Sequence, residues 1–375
     1  MADAAVTDPG AGGQSASDGQ AGQWRLMWWR FRRHRLAFAS GVVVLTIYLV
    51  ALFAEFVAPT TPDRFANRYT FAPPQAVRLF DADGAFRPHV LDFRIEVDRR
   101  AMRRVFVPDE AKPIAIGLFV RGEPYRLFGL IDMETRLIGP LEVGRPFFLL
   151  GADRLGRDLL SRVVHGTRVS MSIGLVGVGL SLFLGVLLGG VSGYFGGAID
   201  NVIQRLIEFI KAIPTIPLWM GLAAAIPREW SPLTVYFLIT LIVSLVGWTG
   251  LAREVRGRFL SMRTEDFVAA ARLDGASELR VILRHMVPSF ISHIIAVTTL
   301  AIPAMILSET ALSFLGIGLR PPVVSWGVLL QDAQNLRAVA TAPWLMWPGA
   351  AVVAAVLALN FLGDGLRDAA DPYAR

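Results

Sequence analysis

Cysteine is absent from the chain, which removes disulfides, thiolate metal sites and sulfur redox chemistry together. Lysine is nearly absent, since Lys112 and Lys211 are the only two. A phosphate-binding Walker loop needs Gly-Lys followed by Ser or Thr. Here Lys112 follows Ala111 and Lys211 follows Ile210, so the chain is no P-loop ATPase. The five histidines form no His-Glu-x-x-His motif, which argues against a zinc hydrolase buried in a membrane. His89 and Asp92 lie near one another in sequence, but without further ligands a solvated pair on a loop is expected.

Apolar residues dominate what remains. They make up 54% of the 375 residues, and the mean hydropathy of +0.49 exceeds that of ordinary soluble domains. The net charge of +6 rests almost wholly on arginine, and in a membrane protein such an excess reports topology and anionic lipid.

Residues 1–23 are Ala, Gly, Ser, Asp and Gln with little to bury, and read as a disordered tail. Residues 24–58 hold a basic, aromatic anchor, WRLMWWRFRRHR, and then a first span from Leu36 to about Ala58. The anchor alone could suggest nucleic acid, but the span that follows at once assigns it to the bilayer, with an uncleaved, cytoplasmic N-terminus.

The stretch 59–150 is polar, contains proline and is far longer than an ordinary connection, so it reads as a small folded insert. Ile114 to Val120 and Arg126 to Ile131 are its expected strands. Long translocated loops escape the positive-inside rule, so its arginines do not fix its side.

The five-span core occupies 151–375. In its first span Gly185, Gly189 and Gly193 recur every fourth residue, the spacing that lets helix backbones touch in lipid. The next span, about Leu206 to Ile226, should bend at Pro214 and Pro217, and Glu208 is placed to pair with Lys211. Spans from about Leu233 to Ala252, Phe290 to Leu307 and Trp344 to Leu362 complete six, with both ends cytoplasmic. The glycines and paired prolines of Ser308 to Gly327 suggest a re-entrant or surface loop on the outer side. Within it Glu309 either faces a pathway or caps and pairs inside the fold.

Between the fourth and fifth spans lies Thr264 to Pro288, TEDFVAAARLDGASELRVILRHMVP. Thr264 reads as an N-cap, Glu265 and Asp266 suit a first helical turn, and Gly275 allows the chain to leave helical geometry. Ser277 and Glu278 start a second helix with an apolar stripe of Leu279, Ile282, Leu283, Met286 and Val287. Pro288 restarts the chain at the next apolar run. Arg253, Arg256, Arg258, Arg263, Arg272, Arg280 and Arg284 crowd this region, which puts it in the cytoplasm in agreement with the span count.

Ala269-Ala270-Ala271, three residues, Gly275, nine residues and His285-Met286-Val287-Pro288 resemble the EAA loop of ABC importer permeases. The departures from Glu-Ala-Ala and Ile-x-Leu-Pro, namely Ala269, His285 and Val287, resemble the peptide-transporter branch. LGADRLGRDLLSRVVHGTRVSMSIGL at the head of the second span is similar to the oligopeptide and dipeptide C-type permeases, as is SETALSFLGIGLRPPVVSWG.

The resemblance implies an all-α polytopic membrane protein of six transmembrane helices, like an ABC type I importer permease, with a β-containing extracytoplasmic insert between spans 1 and 2. It places the chain in a bacterial cytoplasmic (inner) membrane. It implies that Phe267, Ala269, Ala270, Ala271, Asp274, Gly275, Ala276, His285 and Pro288 couple to an ATPase. Glu309 is the candidate pathway or gate residue on its own position, as the one acid near the outer end of the fifth span. The implied partners are a homologous B-type permease, two ABC ATPase subunits and an extracytoplasmic solute-binding protein. ATP and Mg2+ belong to the ATPases, and no cofactor, metal or catalytic residue is expected here. Peptides are the implied cargo, with nickel or glutathione-like solutes as alternatives in the same family. An ion-coupled secondary transporter is the rival class, but the spans carry only Glu208, Lys211 and Glu309, near their ends.

Overall fold

The computed structural model describes residues 23–81, 83–98, 103–227 and 229–370. The expected tail 1–23 lies outside these apart from Gln23, which opens α1 (Gln23–Arg33). Helix α1 leaves Trp28 and Trp29 exposed and tucks Phe31 against Ala37 and Ala369. His34 caps α2 (Arg35–Leu52) by accepting from the Ala37 amide. A short α3 (Ala54–Val57) follows, so the first apolar run is broken at Phe53.

The insert is an antiparallel meander of β1 (Arg78–Phe80), β2 (Phe86–Asp98), β3 (Arg103–Leu127) and β4 (Ile131–Pro140), in sequence order. Ile114 to Val120 falls inside β3 as expected. Arg126 to Ile131 is not a strand, because Phe128, Gly129 and Leu130 form the hairpin turn into β4. Arg136 of β4 is buried beneath this sheet and donates to the carbonyls of Glu55, Ala58 and Glu123, which ties the insert to the chain leaving α3.

Helix α4 (Leu159–Phe195) is the axis of the bundle. It is followed by α5 (Gly197–Ala212), α6 (Thr215–Ala224), α7 (Pro232–Met262), α8 (Asp266–Leu273), α9 (Glu278–Arg280) and α10 (Val287–Ser289). The chain ends with α11 (Ile291–Phe314), α12 (Trp326–Gln331), α13 (Leu336–Thr341) and α14 (Trp347–Ala370). Five helices are long and apolar enough to cross a membrane, and there are six if the bent pair α5 and α6 counts as one span.

That pair is bent by 87°. Pro214 stands at the break, whereas Pro217 sits in the first turn of α6, where its missing amide costs nothing. Glu208 pairs with Arg205 at 2.9 Å instead of with Lys211. The expected outer loop is shorter than its sequence suggested, since Ser308 to Phe314 extend α11 and only the glycines and prolines beyond are irregular.

The glycine spacing in α4 does what close packing requires. A Cβ at Gly189 would stand 2.4 Å from the Ala252 carbonyl oxygen, one at Gly193 2.6 Å from that of Arg256, and one at Gly185 2.8 Å from the Leu251 side chain. Side-chain atoms at these three positions would force α4 and α7 apart. Helix α14 packs on α2 and α11, and α4 closes the group against α2, α7 and α11.

Candidate functional site

The stretch 264–288 folds as a bent pair of short helices at the end of the bundle away from the sheet. Glu265, not Thr264, occupies the N-cap of α8, and the Thr264 hydroxyl instead donates to the Ser261 carbonyl. Helix α7 runs on to Met262, so the cap falls one residue later than the polar pattern suggested. Gly275 has φ +75°, the left-handed conformation that ends a helix at little cost only for glycine.

Beyond the bend, the turn Val281–Met286 is wound as a π-helix between α9 and α10. The wider turn moves the buried face. Val281 and Met286, five residues apart, are fully buried, while Leu279 and Leu283 of the expected apolar stripe are 63% and 58% exposed. Val268, Ala271, Val281 and Met286 form one apolar cluster with Tyr194 of α4, Val255 and Phe259 of α7 and Phe290 and Ile294 at the head of α11. Arg272 adds a polar tie, its guanidinium donating to the Tyr194 hydroxyl at 3.1 Å and lying over that ring.

The candidate coupling residues therefore divide by face. Ala271 is buried and Ala276 and His285 are half-buried, whereas Phe267, Ala269, Ala270, Asp274, Gly275 and Pro288 are exposed. Leu273, Leu279 and Leu283, none of them in that candidate set, join Phe267 as large apolar side chains open to solvent. Large apolar side chains left exposed together on one short polar loop are the kind of feature that marks an interaction surface.

Above the loop, a cavity of about 850 Å3 opens between α4, α7, α11 and α14. Its polar lining includes Ser181, Glu254, Arg258, His293, Thr298 and Arg367, with His293 Nε2 at 3.3 Å from a Glu254 carboxylate oxygen. Glu309 is not part of that lining. It is fully buried and accepts from Ser313 at 2.7 Å, Ser325 at 2.8 Å and Ser170 at 3.4 Å. Those serines in turn accept from the amides of Leu319, Val328 and Trp326, so Glu309 organises the irregular segment after α11 against α4.

Two ionic clusters escaped the sequence reading. At the sheet end, the buried Asp153 carboxylate accepts from Arg157 at 2.7 Å, Arg162 at 2.5 Å and the amides of Leu155 and Arg157. Beside it Asp158 caps α4 through the Ser161 amide, and burial pushes its carboxyl up to about 6. At the loop end, Asp200 of α5 takes both Arg256 Nε at 2.5 Å and Nη2 at 2.6 Å, locking α5 to α7. The motif ADRLGRD gives a residue-level signal for the first cluster; the second joins residues 56 apart and has no local pattern. Among the described residues no group of His, Asp and Glu is arranged to hold a metal ion.

Apolar helices of membrane-crossing length, a largely apolar cavity with a few charged residues between them and an exposed two-helix loop beneath it describe an integral membrane protein of the polytopic helical class. The chain belongs to the family of binding-protein-dependent transport system inner membrane components, whose model matches residues 183–375. A second model, the N-terminal TM domain of oligopeptide transport permease C, matches residues 22–74. The chain is 37% identical over 245 residues to the oligopeptide transport system permease protein OppC of Haemophilus influenzae, covering 65% of this chain and 76% of that protein. It is 36% identical over 227 residues to the dipeptide transport system permease protein DppC of Bacillus subtilis, covering 60% and 68%. The di/tripeptide transport system permease protein DppC of Pseudomonas aeruginosa is 38% identical over 233 residues, covering 62% and 74%. Among solved structures, an inward-facing conformation of the MetNI methionine ABC transporter aligns at TM-score 0.44 and 15% identity, over 56% of this chain and 96% of that one.

Proposed function

We propose that this chain is one of two membrane subunits of an ATP-driven importer that carries di- and oligopeptides, and that the 264–288 loop is where its motor docks. Peptides are favoured over nickel or glutathione-like solutes because the relatives named above are oligopeptide, dipeptide and di/tripeptide permeases. Without a Walker lysine the chain needs ATPase partners to supply ATP and Mg2+ chemistry. A homologous B-type permease and a solute-binding protein on the far side complete the assembly. The arginine-rich loop then lies in the cytoplasm, together with both chain ends, and the sheet lies outside.

The observation that carries this reading is the exposure of four large apolar side chains, Phe267, Leu273, Leu279 and Leu283, on the two arms of the bend at Gly275. Buried in a cleft of the ATPase, each leucine is worth about 1.5–3 kcal/mol. The opposite face is packed on α7 and α11, so closure of an ATPase dimer moves both helices and changes the access of the cavity between them.

The test combines two variants. Leu279→Asp with Leu283→Asp should lower the ATPase recovered with the membrane subunits by roughly tenfold or more, with the chain still inserted at parental level. In the cysteine-free background, Ala270→Cys should crosslink to single cysteines placed along the ATPase cleft. Parental ATPase recovery together with failure to crosslink at every cleft position would place the docking surface elsewhere.

A further inference from the structure

We infer that the turn between β3 and β4 is a membrane anchor, inserting Phe128, Leu130 and Ile131 into the leaflet on the sheet's side. This goes beyond the transport reading and depends only on α2 crossing the bilayer.

The end of the α2 span is fixed by chemistry. Arg168 of α4 donates to the carbonyls of Ala51 and Leu52, both at 2.9 Å, and pairs with both oxygens of Glu55. A charged cluster of this kind belongs at the headgroup level, not in hydrocarbon. Leu45 and Leu49 below it, and Leu52 and its neighbour Phe53 at its level, follow one another at spacings of four, three and one, and all are exposed. They form one exposed stripe along α2 and its C-cap, which in a crossing helix faces lipid.

The hairpin continues that stripe. The Phe128 ring lies 5.7 Å from Phe53, and Phe119 of β3 lies 6.1 Å from Phe56. Leu130 is 83% exposed, Ile131 55% and Phe119 66%, so the described residues leave them largely uncovered. Phe119 and Phe128 have φ of 54° and 55°, a left-handed conformation that is a real outlier for bulky side chains. Strain of this kind persists where the surroundings or a function hold it. Here it presents two aromatic rings beside the end of a membrane helix, the depth that aromatic side chains prefer.

Charge marks how deep the turn goes. Arg126 pairs with Asp132 at 2.9 Å and Arg121 with Glu134 at 2.6 Å, one pair just behind the apolar tip and one further back. The first pair suits the headgroup layer, with the tip alone reaching the acyl chains. The lipid surface is chosen over a protein partner because the patch is continuous with the lipid-facing stripe of α2.

The absence of native cysteine makes the test direct. The full chain carrying Leu130→Cys, and separately Ile131→Cys, is labelled with an environment-sensitive fluorophore. It is reconstituted in vesicles of phosphatidylethanolamine and phosphatidylglycerol, with Glu110→Cys as the aqueous reference. The expected result at 130 and 131 is blue-shifted emission, quenching by brominated acyl chains and loss of the iodide quenching seen at 110. Iodide quenching equal to that at 110 overturns the proposal. Protection from iodide without quenching by bromolipid overturns it as well, because it assigns the patch to a protein contact.

Discussion

At the scale of single residues, Gly275 and Asp158 carry opposite kinds of constraint. A Cβ on Gly275 would meet no atom within 4 Å, so room is not the issue there. The issue is φ +75°, which costs an L side chain roughly 1–2 kcal/mol and a β-branched one most. Gly275→Val should therefore insert at parental level and lose most uptake, while Gly275→Asn, which tolerates the left-handed region, should keep much of it. Uptake normalised to the amount of chain in the membrane decides this, and equal uptake by both variants would remove the bend from the coupling mechanism. Asp158 is limited by its surroundings instead: it is buried, its Oδ1 has no partner, and its carboxyl titrates near 6 against an ordinary 3.8. Because the folded pKa is raised, the folded state holds a proton that the unfolded chain has released between these values. Its contribution to stability is full below about 3.8 and is lost as pH rises through about 6. Asp158→Asn keeps a good N-cap and removes this titration. Its melting temperature should exceed the parent's at pH 8 and match it near pH 4, whereas parallel profiles would mean the carboxyl titrates normally.

Among elements, what the sequence made legible follows from how local each cause is. The glycines at 185, 189 and 193 act within one helix and emerged as read, as the contact of α4 with α7, whereas the apolar runs gave five helices of crossing length, and six only if the bent pair counts as one span. The folded insert was legible from polarity and length, and Ile114 to Val120 as a strand. Arg126 to Ile131 misled because its apolar residues resemble a strand interior, while Gly129, at φ 72°, makes them a turn. In the 264–288 loop the glycine bend is legible, but a period of 3.6 residues misassigns part of the apolar stripe. The π turn at Val281–Met286 breaks that period, so Leu279 and Leu283 face out and Val281 faces in. Nothing in the composition of VILRHM announces the change of winding; it follows from the way Val281 and Met286 must meet Phe259, Val268 and Phe290. Glu208 choosing Arg205 over Lys211 is a similar case, with two partners at equal spacing and the choice made outside the local sequence. Glu309 was visible as a lone acid in an apolar stretch, and of the serines that surround it Ser313 stands one helical turn away, whereas Ser170 of α4 and Ser325 at the start of α12 are too distant in sequence to associate by pattern.

For the whole molecule, the proposed mechanism requires that a push on the loop reaches the cavity, and the helix contacts supply the path. Helix α7 runs unbroken for 31 residues, roughly 46 Å at 1.5 Å per residue, from the sheet end to the loop. Its contact with α4 at three glycines and the Asp200 to Arg256 pair make α4, α5 and α7 one unit at the loop end. The cluster joining α8, Val281 and Met286 to α7 and α11 attaches the loop to the walls of the cavity. In the proposed mechanism such a unit passes on a force that the ATPase partners supply. A conformational equilibrium shifts only by as much free energy as a ligand or partner supplies to one state over the other. The purified chain, alone in sealed vesicles, should therefore bring a labelled dipeptide at most to equal concentration on both sides. With the second permease, the ATPases, the solute-binding protein and Mg-ATP present, the same vesicles should accumulate it, and chelation of Mg2+ should return the ratio to one. Accumulation by the chain alone under a proton gradient would instead identify an ion-coupled carrier, with the His293 and Glu254 pair in the cavity as the first groups to replace.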